Sequence, residues 1–287
     1  MSDESLKSMG SRWVPARFAL GGLIALSVVA WPAGSAANAV SEKHTCRIGD
    51  PGCVRFVIHE MDNRFRKLAR SCDHDAIFSL LYLRTTETFL ATLDSIGYDD
   101  PSAVVREDAL FADYYFRAFD AFHGGGGFVP PAWQIAFNAA QQHSVQSQGN
   151  ALLGFNAHIQ RDLPFVLYDL YVRGTLISHE DHTRVNDFLA QVDATAEVVD
   201  RFDPTFDDNA DPAALFQLIV AWRELAFVNF VRLRDAPTAE ARAAVAADIE
   251  TRAAATATGI AQATAYPAGS DSAPRDAFCE LRAHGSC

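Results

Sequence analysis

The chain has 287 residues, enough for one large domain or two small ones. Its 49% hydrophobic, 11% aromatic and 21% charged residues exclude a disordered, collagen-like or coiled-coil chain and allow a sizeable core. A net charge of −12 excludes a broad electrostatic nucleic-acid footprint, so no nucleic-acid partner is expected.

Residues 1–39 read as an export signal. Lys7, Arg12 and Arg17 make a positive start, and the apolar run FALGGLIALSVVA follows at 18–30. Trp31-Pro32-Ala33-Gly34 then breaks the helix, and Ala37-Asn38-Ala39 fits the A-x-A cleavage pattern, predicting a mature chain from Val40. The run is shorter than a membrane span requires; the alternative is an uncleaved anchor. Secretion or a cell-envelope location is expected, with no membrane span in the mature chain. The domain reading is a signal peptide (1–39), an all-helical domain (40–266) and a cysteine-containing tail (267–287).

Export makes disulfides expected among Cys46, Cys53, Cys72, Cys279 and Cys287. Five thiols allow at most two intrachain bridges. Short spacings suggest Cys46 with Cys53 and Cys279 with Cys287, leaving Cys72, although spacing does not determine connectivity. No C-x-x-C pair is present, which argues against a thiol redox motif or cysteine zinc site.

Helical periodicity dominates the mature chain. At 53–69, Val54, Val57, Ile58, Met61, Phe65 and Leu68 share a stripe. A second helix is predicted at 73–96, with Asp73 as N-cap and Gly97 as stop. A third, at 101–122, ends in four glycines that lack the GK[ST] of a phosphate loop. Pro130-Pro131 opens a helix at 132–142, and 149–172 reads as an apolar helix kinked near Pro164. Helices follow at 179–202, 213–233 and 238–263. The segment 213–233, apolar nearly all round, is expected at the bundle centre. The fold class is all-α: a single-domain bundle of about eight helices.

The most unusual stretch is GNALLGFNAHIQRDLP at 149–164. Gly154, His158 and Asp162 are four residues apart and share one helix face, extended by Asn150. His and Asp at that spacing suit a shared metal or a His–carboxylate dyad, and Gly154 leaves room for a ligand or helix. The structural alternative is a core histidine with Asp162 capping a restarted helix.

This run, with PPAWQIAF upstream and AWRELAF downstream, resembles a bacterial family, domain-of-unknown-function family 5995, which has a similar G-x-N-A-H-I-x-x-D-L-P core. The matching residues are Gly154, Asn156, Ala157, His158, Asp162, Leu163 and Pro164, and the resemblance spans roughly 53–233. It implies no particular reaction. A weaker resemblance is to zinc-dependent phospholipase C and P1-type nucleases, which carry H-x-x-x-D on a helix; it implies a divalent metal, zinc favoured. Here no histidine follows Pro164 at short range and no clear H-x-x-x-E is present.

Further ligands would come from His179, Asp181 and His182 at a helix start, where a polar first turn is the structural alternative. Asp73-His74-Asp75 reads as capping. Arg84 and Glu87, and Arg223 and Glu224, interrupt apolar helices. They predict either Arg84–Glu224 or Glu87–Arg223 pairs inside the bundle, or carboxylates aimed at His158. Asp113, Arg117 and Asp120 read as a solvated face. The acidic loop at 203–211 suggests calcium, or the D-D-x-x-D of terpene cyclases, with Asp211 alternatively an N-cap.

The candidate catalytic groups are therefore His158, Asp162, Glu87 and Glu224. The candidate ligand contacts are Asn150, Gly154, Asn156, Arg84 and Arg223. The candidate metal ligands are His158, Asp162, His179, Asp181 and His182. Three functions are consistent with them: a metal-assisted hydrolase acting on a phosphoester-like substrate, a non-enzymatic binder of a small or lipid-like ligand, and a structural cell-envelope protein.

Overall fold

A computed structural model describes residues 39–207 and 211–284, which fall in one compact unit. Residues 1–38 of the proposed signal, residues 208–210 of the acidic loop and residues 285–287, Cys287 among them, lie outside these. The chain opens with a 3₁₀ turn, Val40–Glu42, and α1, His44–Arg47. There follow α2 (Gly52–Arg70), α3 (Ala76–Thr92), α4 (Pro101–His123), α5 (Pro131–Gln141) and α6 (Ser147–Phe155). A π-helical segment, Asn156–Asp162, leads into α7, Leu163–Val172. Then come α8 (His179–Leu189), α9 (Thr195–Arg201), α10 (Pro212–Asp235), α11 (Ala239–Ala263) and α12 (Ala273–His284). No strand occurs among the described residues, only an isolated bridge between Val145 and Ala265.

The helix starts follow local chemistry. Asp100 and Asp211 each precede a proline and accept a backbone N–H three residues on, from Ala103 and Ala214, both at 3.0 Å. Ser178 caps α8 and Thr238 caps α11 in the same way. The all-helical class is as expected, but the described residues form eleven separate helices rather than about eight. The short α1 and α12 lie in cysteine-bearing segments without clear periodicity. The helix expected at 179–202 is two, because Asp193 turns its carboxylate onto the Thr195 N–H at 3.2 Å and opens the chain there.

The centre of the bundle is the continuous helix α6–π–α7, not α10. Its π segment packs against α10, α11, α4 and α5. The π turn has a local cause. Pro164 has no N–H and its ring would strike the Gln160 carbonyl, so the ladder widens and Leu163 N–H bonds the His158 carbonyl five residues back. Helix α10 instead lies at the surface, with Leu215, Leu218, Leu225 and Val228 exposed along one face. It is long and apolar enough to cross a membrane by length and composition. Its inner face buries Arg223, Ala226, Asn229, Phe230 and Leu233.

Two disulfides close the fold. Cys46–Cys53 is the expected short loop. The second joins Cys72 to Cys279, which corrects the expected Cys279–Cys287 pair. Sequence distance misled here: α12 folds back so that the Cα atoms of Cys72 and Cys279 lie 5.9 Å apart.

A candidate His–Asp cavity

His158 and Asp162 meet inside the central helix. His158 Nδ1 lies 3.2 Å from Asp162 Oδ2, with both side chains almost fully buried. Asp162 also accepts the Trp133 indole N–H at 2.8 Å and an Arg161 guanidinium N–H at 2.9 Å. Arg161 in turn reaches Glu250 on α11 at 2.6 Å. A carboxylate so surrounded accepts from Nδ1–H, leaving Nε2 of the neutral ring as a lone pair. That nitrogen is buried and has no hydrogen-bond partner among the described residues. Burial pushes His158 below its ordinary pKa, with Asp162 opposing, so the ring is a neutral acceptor near pH 7.

The ring sits in an aromatic cage. Phe111 stacks on it at 3.5 Å between centroids, and Tyr82 meets it edge-on at 4.4 Å. His158 lines a cavity of about 200 Å³. Its walls come from α3 (Phe78, Tyr82, Thr85), the central helix (Ala151, Phe155) and the first turns of α10 (Leu215, Phe216, Ile219). A neighbouring cavity of about 70 Å³ shares Tyr82, Thr85, Phe111, Leu189 and Arg223 and adds Glu107 and Asp108. Residues on these walls carry four buried polar atoms without a partner among the described residues: His158 Nε2, the Tyr82 hydroxyl, Glu107 Oε2 and Asp108 Oδ2.

Burial pushes Glu107 up to about 7, against the pull of Arg223, and raises Asp108 well above the usual carboxylate range. Asp108 as a whole is only half-buried, because part of it faces the cavity rather than packed protein. The unfolded chain ionises Glu107 from about pH 4.5 upward, whereas the folded chain keeps its proton until about 7. Stability therefore falls as pH rises through that window. Glu107→Gln is expected to gain on the parent by roughly 1–3 kcal/mol between pH 5 and pH 8 in denaturant titrations. A stability difference that stays constant with pH would contradict this.

The other sequence-predicted residues serve different ends. Gly154 does not clear space for a ligand: a Cβ there would overlap the Phe78 side chain. Asn156 donates to the Ala253 carbonyl at 3.0 Å and fastens α11, while Asn150 accepts from Arg275 at 2.8 Å and fastens α12. The expected metal ligands on α8 are not brought to His158. Asp181 accepts the backbone N–H groups of Asp99 and Asp100, His179 pairs with Glu224 at the surface, and His182 Nε2–H donates to the Arg223 carbonyl.

Neither expected buried ion pair forms. Arg84 bonds Glu87 at 2.6 Å and Glu197 at 2.7 Å, half-exposed. Buried Arg223 donates to Asn186 and to the His182 carbonyl. Of these residues only Arg223 reaches the cavity wall. Asp113 is not on a solvated face: it is buried and accepts the backbone N–H groups of Val40 and Ser41, both at 2.8 Å. The acidic-loop reading rests partly on Asp208 and Asn209, outside the described residues; Asp211 is the N-cap of α10.

Sequence reasoning missed Tyr82, Phe111, Glu107 and Asp108. Two adjacent acids in the aromatic-rich 101–122 helix were the available signal. It also read His74 as part of a capping turn. Among the described residues, one group could hold a metal ion: His74, His143 and Asp276, whose ligand atoms lie within 4.8 Å of one another.

These features define an all-helical protein built around a central π-interrupted helix, with an oriented His–Asp pair on the wall of an apolar cavity. The chain belongs to the Family of unknown function (DUF5995), whose profile matches residues 54–263. No curated protein and no solved structure gives a significant match, so the phospholipase C and P1 nuclease resemblance gains no support there.

Proposed function

We propose that the cavity binds a small, largely apolar molecule carrying one hydrogen-bond donor, which His158 Nε2 accepts. The observation that carries this reading is the lone pair itself: a buried imidazole nitrogen, aimed by Asp162, without a partner among the described residues. Leaving such a group unbonded costs about 1–3 kcal/mol. The volume is adequate, since cavities of about 150 Å³ hold benzene. Phenol, a benzene-sized ring with one hydroxyl, is the direct probe. Calorimetric titration is expected to show binding that weakens about threefold to tenfold in His158→Phe, the value of one hydrogen bond, while toluene binds both proteins alike. Equal phenol affinity in the two would refute the assignment.

A second reading follows from Glu107 and Asp108. Acids that hold their protons near neutral pH, beside a neutral imidazole base, are the components of general acid–base catalysis on the bound molecule. This reading replaces metal-assisted hydrolysis at His158, which would need a third ligand there.

For location, we propose export with cleavage before Val40. Two disulfides support an oxidising compartment. The setting of Val40 supports the cleavage point, since its backbone nitrogen lies on the buried Asp113 carboxylate, where a newly formed ammonium would be neutralised. Burial holds Asp113 above its ordinary pKa, a cost that such a cation would offset. N-terminal sequencing of the exported protein is expected to begin at Val40; a start more than a few residues away would overturn the proposal.

A further inference from the structure

We propose that His74, His143 and Asp276 bind a divalent cation of the zinc type, fastening the C-terminal helix α12 to the body of the bundle. Three distant parts of the chain deliver the ligands: the turn before α3, the residue two past the end of α5, and α12 itself. His74 Nε2 lies 2.7 Å from Asp276 Oδ1, and His143 Nδ1 lies 3.0 Å from Oδ2. The two imidazole rings stack at 3.9 Å, 22° from parallel, so both present a nitrogen to the same carboxylate.

Zinc holds nitrogen and oxygen ligands at about 2.0–2.2 Å, which sets tetrahedral donor atoms roughly 3.4 Å apart. The two nitrogen–oxygen distances therefore need to open by less than about 1 Å to admit the ion, and the ligand atoms all lie within 4.8 Å of one another. Two imidazoles and a carboxylate suit zinc well. Ser272 Oγ donates to Asp276 Oδ2 at 2.7 Å and supplies the outer bond that orients a ligating carboxylate. His74 is buried whereas His143 is 45% exposed on its side chain, so the site is closed on the protein side and reachable from solvent.

The neighbouring Arg275 turns its guanidinium away, onto Asn150.

The backbone adds an independent indication. His143 has φ of +52°, at the position just past a helix where glycine is usual. Ser144 N–H bonds the Ala139 carbonyl in the wrap-around that ends α5. A side chain at that position is disfavoured relative to glycine, and here the imidazole it carries reaches the cluster. His74 and His143 fall within the family match, whereas Asp276 lies beyond it.

The test uses the full chain with its disulfides intact, stripped by a chelator and titrated with Zn²⁺ by calorimetry and with Co²⁺ by visible absorption. One zinc per chain is expected, with the intense absorption of tetrahedral cobalt. His143→Ala removes a partly exposed side chain and should fold normally, which circular dichroism checks. Its zinc affinity is expected to fall about a hundredfold or more, since even outer-shell changes cost 10–100-fold. Asp276→Asn should do likewise, whereas His158→Phe should leave zinc uptake unchanged, separating this site from the cavity. No zinc uptake at millimolar concentration would overturn the proposal. Unaltered affinity in His143→Ala would also overturn it, because the ion would then sit elsewhere.

Discussion

Asp162→Ala is expected to lower stability by about 3–5 kcal/mol, the range for breaking a buried charge network by removing one partner. The substitution leaves three donors facing a void: the Trp133 indole N–H, one Arg161 guanidinium N–H and His158 Nδ1. All three are buried away from bulk solvent, because the Asp162 side chain is fully buried and its partners nearly so. Arg161 keeps Glu250, so its charge stays partly matched. Asp162→Asn should cost less, since its amide oxygen still accepts one bond. Urea unfolding of the three proteins measures the series. A loss below about 1 kcal/mol in the alanine variant would mean that the network contributes little. Phenol affinity should fall in the same variant, because Asp162 holds the imidazole tautomer that exposes Nε2.

Breaking the Cys72–Cys279 bridge with a double serine substitution is the second large effect. It joins residues 207 apart, so it restricts the unfolded chain far more than Cys46–Cys53, which spans 7. The chain-entropy argument assigns about 5 kcal/mol to the long loop and about 2 kcal/mol to the short one, and measured losses run about 2–5 kcal/mol. The long-loop variant should therefore show the lower denaturation midpoint. Its first failure should be local. Without the bridge, α12 is held by Asp276 with its two histidines, the Arg275–Asn150 bond and its packing on α9, so limited proteolysis should cut near 267–272 first. A larger loss on removing Cys46–Cys53 would contradict this order.

Where the chain is helical was legible because the relevant signals are local. The stripe from Val54 to Leu68 predicted α2, and Asp211 before a proline offered the N-cap that starts α10. The His158–Asp162 contact was legible for the same reason, since four residues along a helix is one turn. The role of Gly154 was not. Its lack of a side chain serves Phe78, a residue 76 positions earlier whose approach no local pattern records. Helix α10 was misplaced because apolar composition does not say which side of a helix is covered. Its outer face stays exposed while buried Arg223 and Asn229 look inward, the reverse of a simple hydrophobicity argument.

By itself, the sequence determined the all-helical class, the family, the Asp211 cap and the dyad, all of which depend on residues within a turn or two or on a continuous motif. Asp73, expected to cap the second helix, instead turns its carboxylate onto the Asp75 N–H at 2.9 Å, and α3 begins at Ala76 without a side-chain cap. Tertiary structure alone decided which residues surround that dyad and what the other polar groups do. Trp133 reaches Asp162, and Tyr82 and Phe111 reach His158, from three different helices. Asp181 and Asn156 became clasps for neighbouring elements rather than ligands. Cys279 and Asp276 found Cys72, His74 and His143 only once α12 had folded back. The physical reason is that a buried polar group must be satisfied by whatever packing places beside it, and packing joins residues whose separation along the chain leaves no periodic trace.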